Sequence, residues 1–84
     1  MEPYEVYLNL DLVEAVPKSG EQRRKIMEFI RALRAEPAMP GDYTDMDASL
    51  RRREIKIVGR YAITYWLDDP VKAVMVVDIR PADE

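Results

Sequence analysis

The sequence predicts an α+β fold, an antiparallel sheet with helices packed on one face in the order β-α-α-β-β-β. Three observations predict it. Residues 50–80 (LRRREIKIVGRYAITYWLDDPVKAVMVVDIR) hold three successive runs rich in Ile, Val, Tyr, Thr and Trp, broken at Val58-Gly59-Arg60 and at Asp68-Asp69-Pro70. Those residue types suit a pleated surface, and Gly and Asp-Pro punctuate it. Ahead of them, Ile26, Phe29, Ile30 and Leu33 fall at i, i+3, i+4 and i+7, a helical stripe able to cover a sheet. Finally, residues 3–10 (PYEVYLNL) alternate apolar and polar side chains, which reads as a first strand with Val6 and Leu8 on the core side.

Taken in order, that strand leads to Asp11 and Glu14, spaced as a capping box for a short helix over 12–16 that Pro17 ends. Ser19 and Gln22 form a second capping box, opening the main helix over 20–35. Arg23, Arg24, Lys25, Arg31 and Arg34 occupy its other faces. They are read as a solvated face whose stems shield apolar surface rather than as an RNA-contacting one. Glu36-Pro37 stops the helix, and residues 38–49, with Pro40, Gly41 and three aspartates, read as a loop of about a dozen residues. The second, third and fourth strands follow over 51–57, 61–67 and 71–80. Asp68-Asp69, two carboxylates before a proline, read as a hairpin turn rather than a metal site.

Register decides which residues share a face. A two-residue Gly59-Arg60 turn would set Ile57 beside Ala62 and Lys56 beside Ile63, mixing charge into both faces. A three-residue loop, Val58-Gly59-Arg60, sets Ile57 opposite Tyr61, Ile55 opposite Ile63 and Arg53 opposite Tyr65. Only the latter separates an apolar face from a polar one, because a one-residue slip reverses every side chain. The expectation is therefore the three-residue loop, with Val71, Ala73, Met75, Val77 and Ile79 inward on the last strand. Arg52, Lys56, Trp66 and Arg80 then share the outer face, where function is sought.

The chain has 84 residues, one domain near the lower limit for a self-sufficient core. A partner or a homodimer is therefore expected to supply part of its stability. Cysteine and histidine are both absent. That excludes disulfides, thiolate nucleophiles, imidazole acid–base catalysis and nearly all zinc chemistry, so neither cofactor nor metal is expected. Without an apolar leader or a long apolar stretch the chain is expected to be cytoplasmic and free of membrane. Net charge is −3, but eleven of the thirteen basic residues lie between Lys18 and Arg60, so a basic face is compatible with an acidic protein.

Three stretches carry a family resemblance: RRKIMEFIRALRAEP, REIKIVGRYAITYWLDD and VMVVDIR. In the order β-α-α-β-β-β they resemble the helix and Pro-terminated loop, the basic strand with its G-x-Y turn, and the arginine-ended last strand of the RelE/ParE superfamily of bacterial type II toxins. The resemblance covers most of the chain, from Tyr4 to Arg80. It implies a toxin-like protein neutralised by a cognate antitoxin. In the RelE-like branch the implied activity is metal-free, ribosome-dependent endoribonuclease cleavage of mRNA, in which the substrate's own 2′-hydroxyl attacks. Cations must then neutralise the phosphate and a basic group must take the proton. The residues implied are Lys56 and Arg80 as catalytic, with Arg60 reaching toward the site. Arg51, Arg52 and Arg53 are phosphate-binding candidates, and equally an aggregation-blocking edge. Trp66 is the partner-binding candidate, set against the commoner role of a part-buried sheet residue. Four departures bear on activity: Ala62 follows the turn tyrosine where active members commonly carry arginine, Glu54 stands where another base often appears, the C-terminal tyrosine of some active members has no counterpart, and the net charge is acidic. In the ParE-like branch the implied target is DNA gyrase, inhibited by binding alone. A third reading is a catalytically inactive interaction module on the same fold.

Overall fold

The computed structural model describes residues 4–83; the expected strand start at Pro3 lies outside them. The elements are β1 (Glu5–Tyr7), α1 (Leu10–Ala15), α2 (Gly20–Ala35), β2 (Tyr43–Met46), β3 (Arg52–Val58), β4 (Tyr61–Asp68) and β5 (Ala73–Pro81). They build one five-stranded sheet in the order β1-β5-β4-β3-β2. The α+β class is as expected, but the sheet is mixed rather than antiparallel. β2 to β5 form an antiparallel meander that returns across the sheet until β5 meets β1 in the same direction. No helix among the described residues is long and apolar enough to cross a membrane.

The helix starts differ from the expected capping boxes. Asn9 caps α1, its side chain accepting from Leu12 N–H at 3.0 Å, so that helix begins before Asp11. Ser19 occupies the N-cap position of α2 without a side-chain bond. Gln22, expected to reach back to it, turns the other way. Its amide donates to Val58 C=O at 2.9 Å and accepts from Arg60 N–H at 2.9 Å. An amide carries both a donor and an acceptor, so one side chain binds both Val58 C=O and Arg60 N–H of the β3–β4 turn. That turn is the two-residue Gly59-Arg60 form, with Gly59 at φ 63°.

The core lies between the helices and one sheet face. Ile26, Phe29 and Leu33 of α2, with Val16, pack on Ile63, Tyr65, Val74, Val76 and Ile79, and Val6 and Leu8 close the β1 side as expected. Phe29 meets Tyr65 edge-on at 5.6 Å between ring centroids, a favoured aromatic geometry. The Tyr65 hydroxyl donates to Met39 C=O at 2.9 Å, which ties the chain after α2 to the sheet. Burial, reinforced by the nearby Glu54 and Asp42 carboxylates, pushes that phenol up to about 12.

Two registers correct the expectation. In β3–β4, Val58 pairs with Tyr61, Ile57 with Ala62, Lys56 with Ile63 and Ile55 with Thr64. Every β3 side chain therefore lies on the opposite face from the one expected. Segregation of charge lost to a sum of specific contacts: Val58 packs against the core, Gln22 braces the turn, and the three charged groups brought to the helix side, Arg52, Glu54 and Lys56, find partners at its rim. Glu54 accepts from Gly41 N–H at 2.9 Å and Lys56 sits 3.6 Å from Asp42. In β5, a bulge lies opposite Thr64 and Tyr65, whose partners are Asp78 and Val76. Val77 is the extra residue, and it resets the alternation. Ile79 is inward as expected, but Val74 and Val76 are inward too, while Met75 turns to the other face and Val77 is exposed.

Candidate functional site: the open sheet face

The residues read as a loop over 38–49 contain β2, which frames the uncovered face of the sheet. The three aspartates of that stretch, taken as loop formers, are anchors. Asp42 accepts from Ile57 N–H at 2.8 Å. Asp45 receives both Arg53 nitrogens at 2.8 and 2.7 Å. Asp47 closes the β2–β3 turn, one carboxylate oxygen accepting from Ser49 N–H at 2.8 Å and Arg51 N–H at 2.9 Å. Asp, so often a turn residue, here stitches a strand to its neighbour.

Alternation from the observed pairs places Tyr43 and Asp45 of β2, Arg53, Ile55 and Ile57 of β3, Ala62, Thr64 and Trp66 of β4, and Asp78 and Arg80 of β5 on the open face. At its centre is a shallow depression of about 310 Å³. Ile55, Ala62 and Thr64 form its floor, and Asp45, Arg53, Asp78 and Arg80 its rim. The rim is charge-balanced. Arg53 is held fork to fork by Asp45, and Arg80 lies 2.5 Å from Asp78. The Arg53 hydrogen bonds, opposed in part by desolvation, hold the Asp45 carboxyl below the usual carboxylate range.

The expected catalytic pair is divided. Lys56 pairs with Ile63, which is fully buried beneath the helices, whereas Arg80 pairs with Ala62 on the open face. The two cations lie on opposite sides of the sheet. Arg52 follows Lys56 to the helix side, where its Nε is 3.1 Å from Glu54. Arg60 lies in the turn, its N–H spent on Gln22 and its C=O accepting from Ala82 N–H at 2.8 Å. Of the three arginines opening β3, Arg53 reaches the depression. Arg51 lies over Trp66, its guanidinium carbon 3.9 Å from the ring centroid, and 3.3 Å from Asp47. Trp66 is accordingly half-buried with one ring face covered.

Asp45 and Asp78, the counter-ions that set the character of this face, were not among the expected site residues. Asp78 was within reach, because it stands two residues before Arg80 on one strand. Asp45 was not, since its role follows from a strand whose residues carry loop chemistry. Among the described residues no group of three or more metal-ligating side chains is gathered. Chemically the face offers a part-exposed floor ringed by paired charges: it can bind, and among the described residues it presents no free cation beside a proton acceptor.

Comparison with protein-family models, curated proteins and solved structures returned no match. What the fold and face define is an α+β domain whose five-stranded mixed sheet is covered by helices on one side and open on the other.

Proposed function

We propose that this chain is a toxin-like component of a type II toxin–antitoxin module, of RelE/ParE-like fold, that acts by binding a target protein in the ParE-like manner and is neutralised by a cognate antitoxin. The fold part of this reading is supported by the three resembling stretches and by an order in which one strand and two helices precede a meander. The observation that carries the mode of action is the separation of Lys56 from Arg80. A phosphate passing through a pentacoordinate state needs its cations converging on one point, and cations on opposite faces of a sheet do not converge. Arg53 and Arg80, which do share a face, are each already neutralised by a carboxylate. Recognition makes no such demand. An apolar floor with a polar rim is the ordinary anatomy of a protein interface.

The test is purified protein in a reconstituted translation reaction and, separately, in a DNA gyrase supercoiling assay. Translation is expected to continue with intact mRNA, and supercoiling to be inhibited until the product of an adjoining small reading frame is added. Cleavage of mRNA within the ribosome, abolished by Lys56→Ala, would overturn the reading.

A further inference from the structure

The sheet has two outer strands, and they are protected unequally. β1 is three residues long, and Arg34 of α2 reaches over it to Glu5 at 3.4 Å. β2 forms the other edge, and among the described residues nothing pairs with its free side. Soluble proteins usually guard such an edge with lysine, proline or a bulge. Tyr43–Met46 carries neither lysine nor proline, and the one irregularity is at its start, where Asp42 N–H donates to the C=O of Ile55, the ladder partner of Tyr43. Its one charge, Asp45, is drawn sideways onto Arg53. Tyr43 and Met46 are 63% and 60% exposed.

The backbone directions are readable. Asp47 N–H donates to Arg51 C=O at 3.0 Å across the β2–β3 turn. Alternation along an antiparallel strand then turns the backbone groups of Tyr43 and Asp45 toward β3 and those of Thr44 and Met46 away from the sheet.

We propose that a second copy of this chain occupies this edge, β2 against β2, antiparallel about a two-fold axis centred on Thr44. Two constraints narrow the register, and charge decides between what they leave. A two-fold axis normal to the sheet keeps each face on its own side, so a residue is set opposite one from the same face. The residues that exchange hydrogen bonds must also have outward backbone groups. Thr44 opposite its own counterpart meets both conditions, and it sets Tyr43 beside the other copy's equivalent of Asp45. Centring on Asp45 instead would oppose two carboxylates, which is unfavourable across strands. The strand is thus complementary to itself, the property a closed two-fold interface requires. The pairing doubles the sheet and covers the exposed parts of Tyr43 and Met46. A four-residue edge buries less than a standard interface, so the dimer is concentration-dependent. This inference does not rest on the proposed toxin-like role.

Sedimentation equilibrium over a range of concentrations is expected to show a monomer–dimer equilibrium. Thr44→Lys, which opposes two ammonium groups at the axis, is expected to abolish the dimer while circular dichroism stays unchanged. A second measurement uses the absence of cysteine from the chain. Cα atoms of a hydrogen-bonded antiparallel pair lie about 5.5 Å apart, within disulfide reach. Thr44→Cys should therefore oxidise to a covalent dimer several-fold faster than Ala48→Cys at the hairpin tip. A monomer at all concentrations, a dimer that survives Thr44→Lys, or equal cross-linking of the two cysteine variants would each overturn the proposal.

Discussion

The two faces of the sheet are built from the same alternating strands and end in different states. On the covered face Ile63, Tyr65, Val74, Val76 and Ile79 lie beneath α2, and even the Tyr65 hydroxyl finds a partner. On the open face Ile55, Ile57 and Ala62 are only half-buried, and the space above them is bounded by two ion pairs rather than by another layer. One face is held by excluded water and close packing, the other by contacts made in water's presence. The difference teaches where this small domain keeps its stability and where it has surface to spare for a partner.

The largest expected effect comes from cutting the covered face. Ile63 is fully buried, so Ile63→Ala removes packed methyl groups and leaves a cavity, a loss of about 3–4 kcal/mol in urea unfolding. Ile57→Ala, the same chemistry on the open face, should cost about 1 kcal/mol, because its side chain is already part-solvated. Equal losses would mean that the open face is covered in solution.

An intermediate effect is expected where the faces are assigned. Gln22→Ala leaves Val58 C=O and Arg60 N–H of the turn without their shared partner, a cost of about 1–2 kcal/mol. It also removes the brace that favours the observed β3 register. Cross-strand amide contacts in nuclear magnetic resonance should still report Lys56 opposite Ile63, with faster hydrogen exchange at the turn. A shift of Lys56 to the face of Arg80 would show that Gln22 alone decides the register.

The smallest effect is a pH dependence confined to the open face. The Asp45 carboxyl titrates below its ordinary range because the Arg53 hydrogen bonds favour its charged form. Its contribution is therefore complete above the ordinary carboxylate range and is lost as pH falls through the lowered value. Asp45→Asn should lower the neutral plateau of a stability–pH curve slightly and flatten its acid limb, so that the two curves converge at low pH. An acid limb identical to that of the parent chain would place the Arg53–Asp45 pair among the many exposed ion pairs that contribute nothing measurable.

What the amino-acid sequence determined by itself was whatever a few neighbouring residues can decide. The stripe of Ile26, Phe29 and Leu33, the burial of Tyr61, Ile63 and Tyr65 on one side of β4, the α+β class and the sharp turns near Gly59 and Asp69 follow from local periodicity and backbone preference. Only the tertiary structure decided the rest. The β3 register depended on Gln22, thirty-six positions from Val58, and the phase of β5 on a bulge at Val77 that alternation does not reveal. β2 exists because Asp45 and the flanking Asp42 find partners on β3, and the parallel meeting of β1 with β5 closes the sheet across almost the whole chain. Side-chain alternation has period two, so a single residue's difference in a turn or a bulge reverses everything beyond it. Contacts distant in sequence choose between the two outcomes, and they placed Lys56 under the helices and Arg80 in the open.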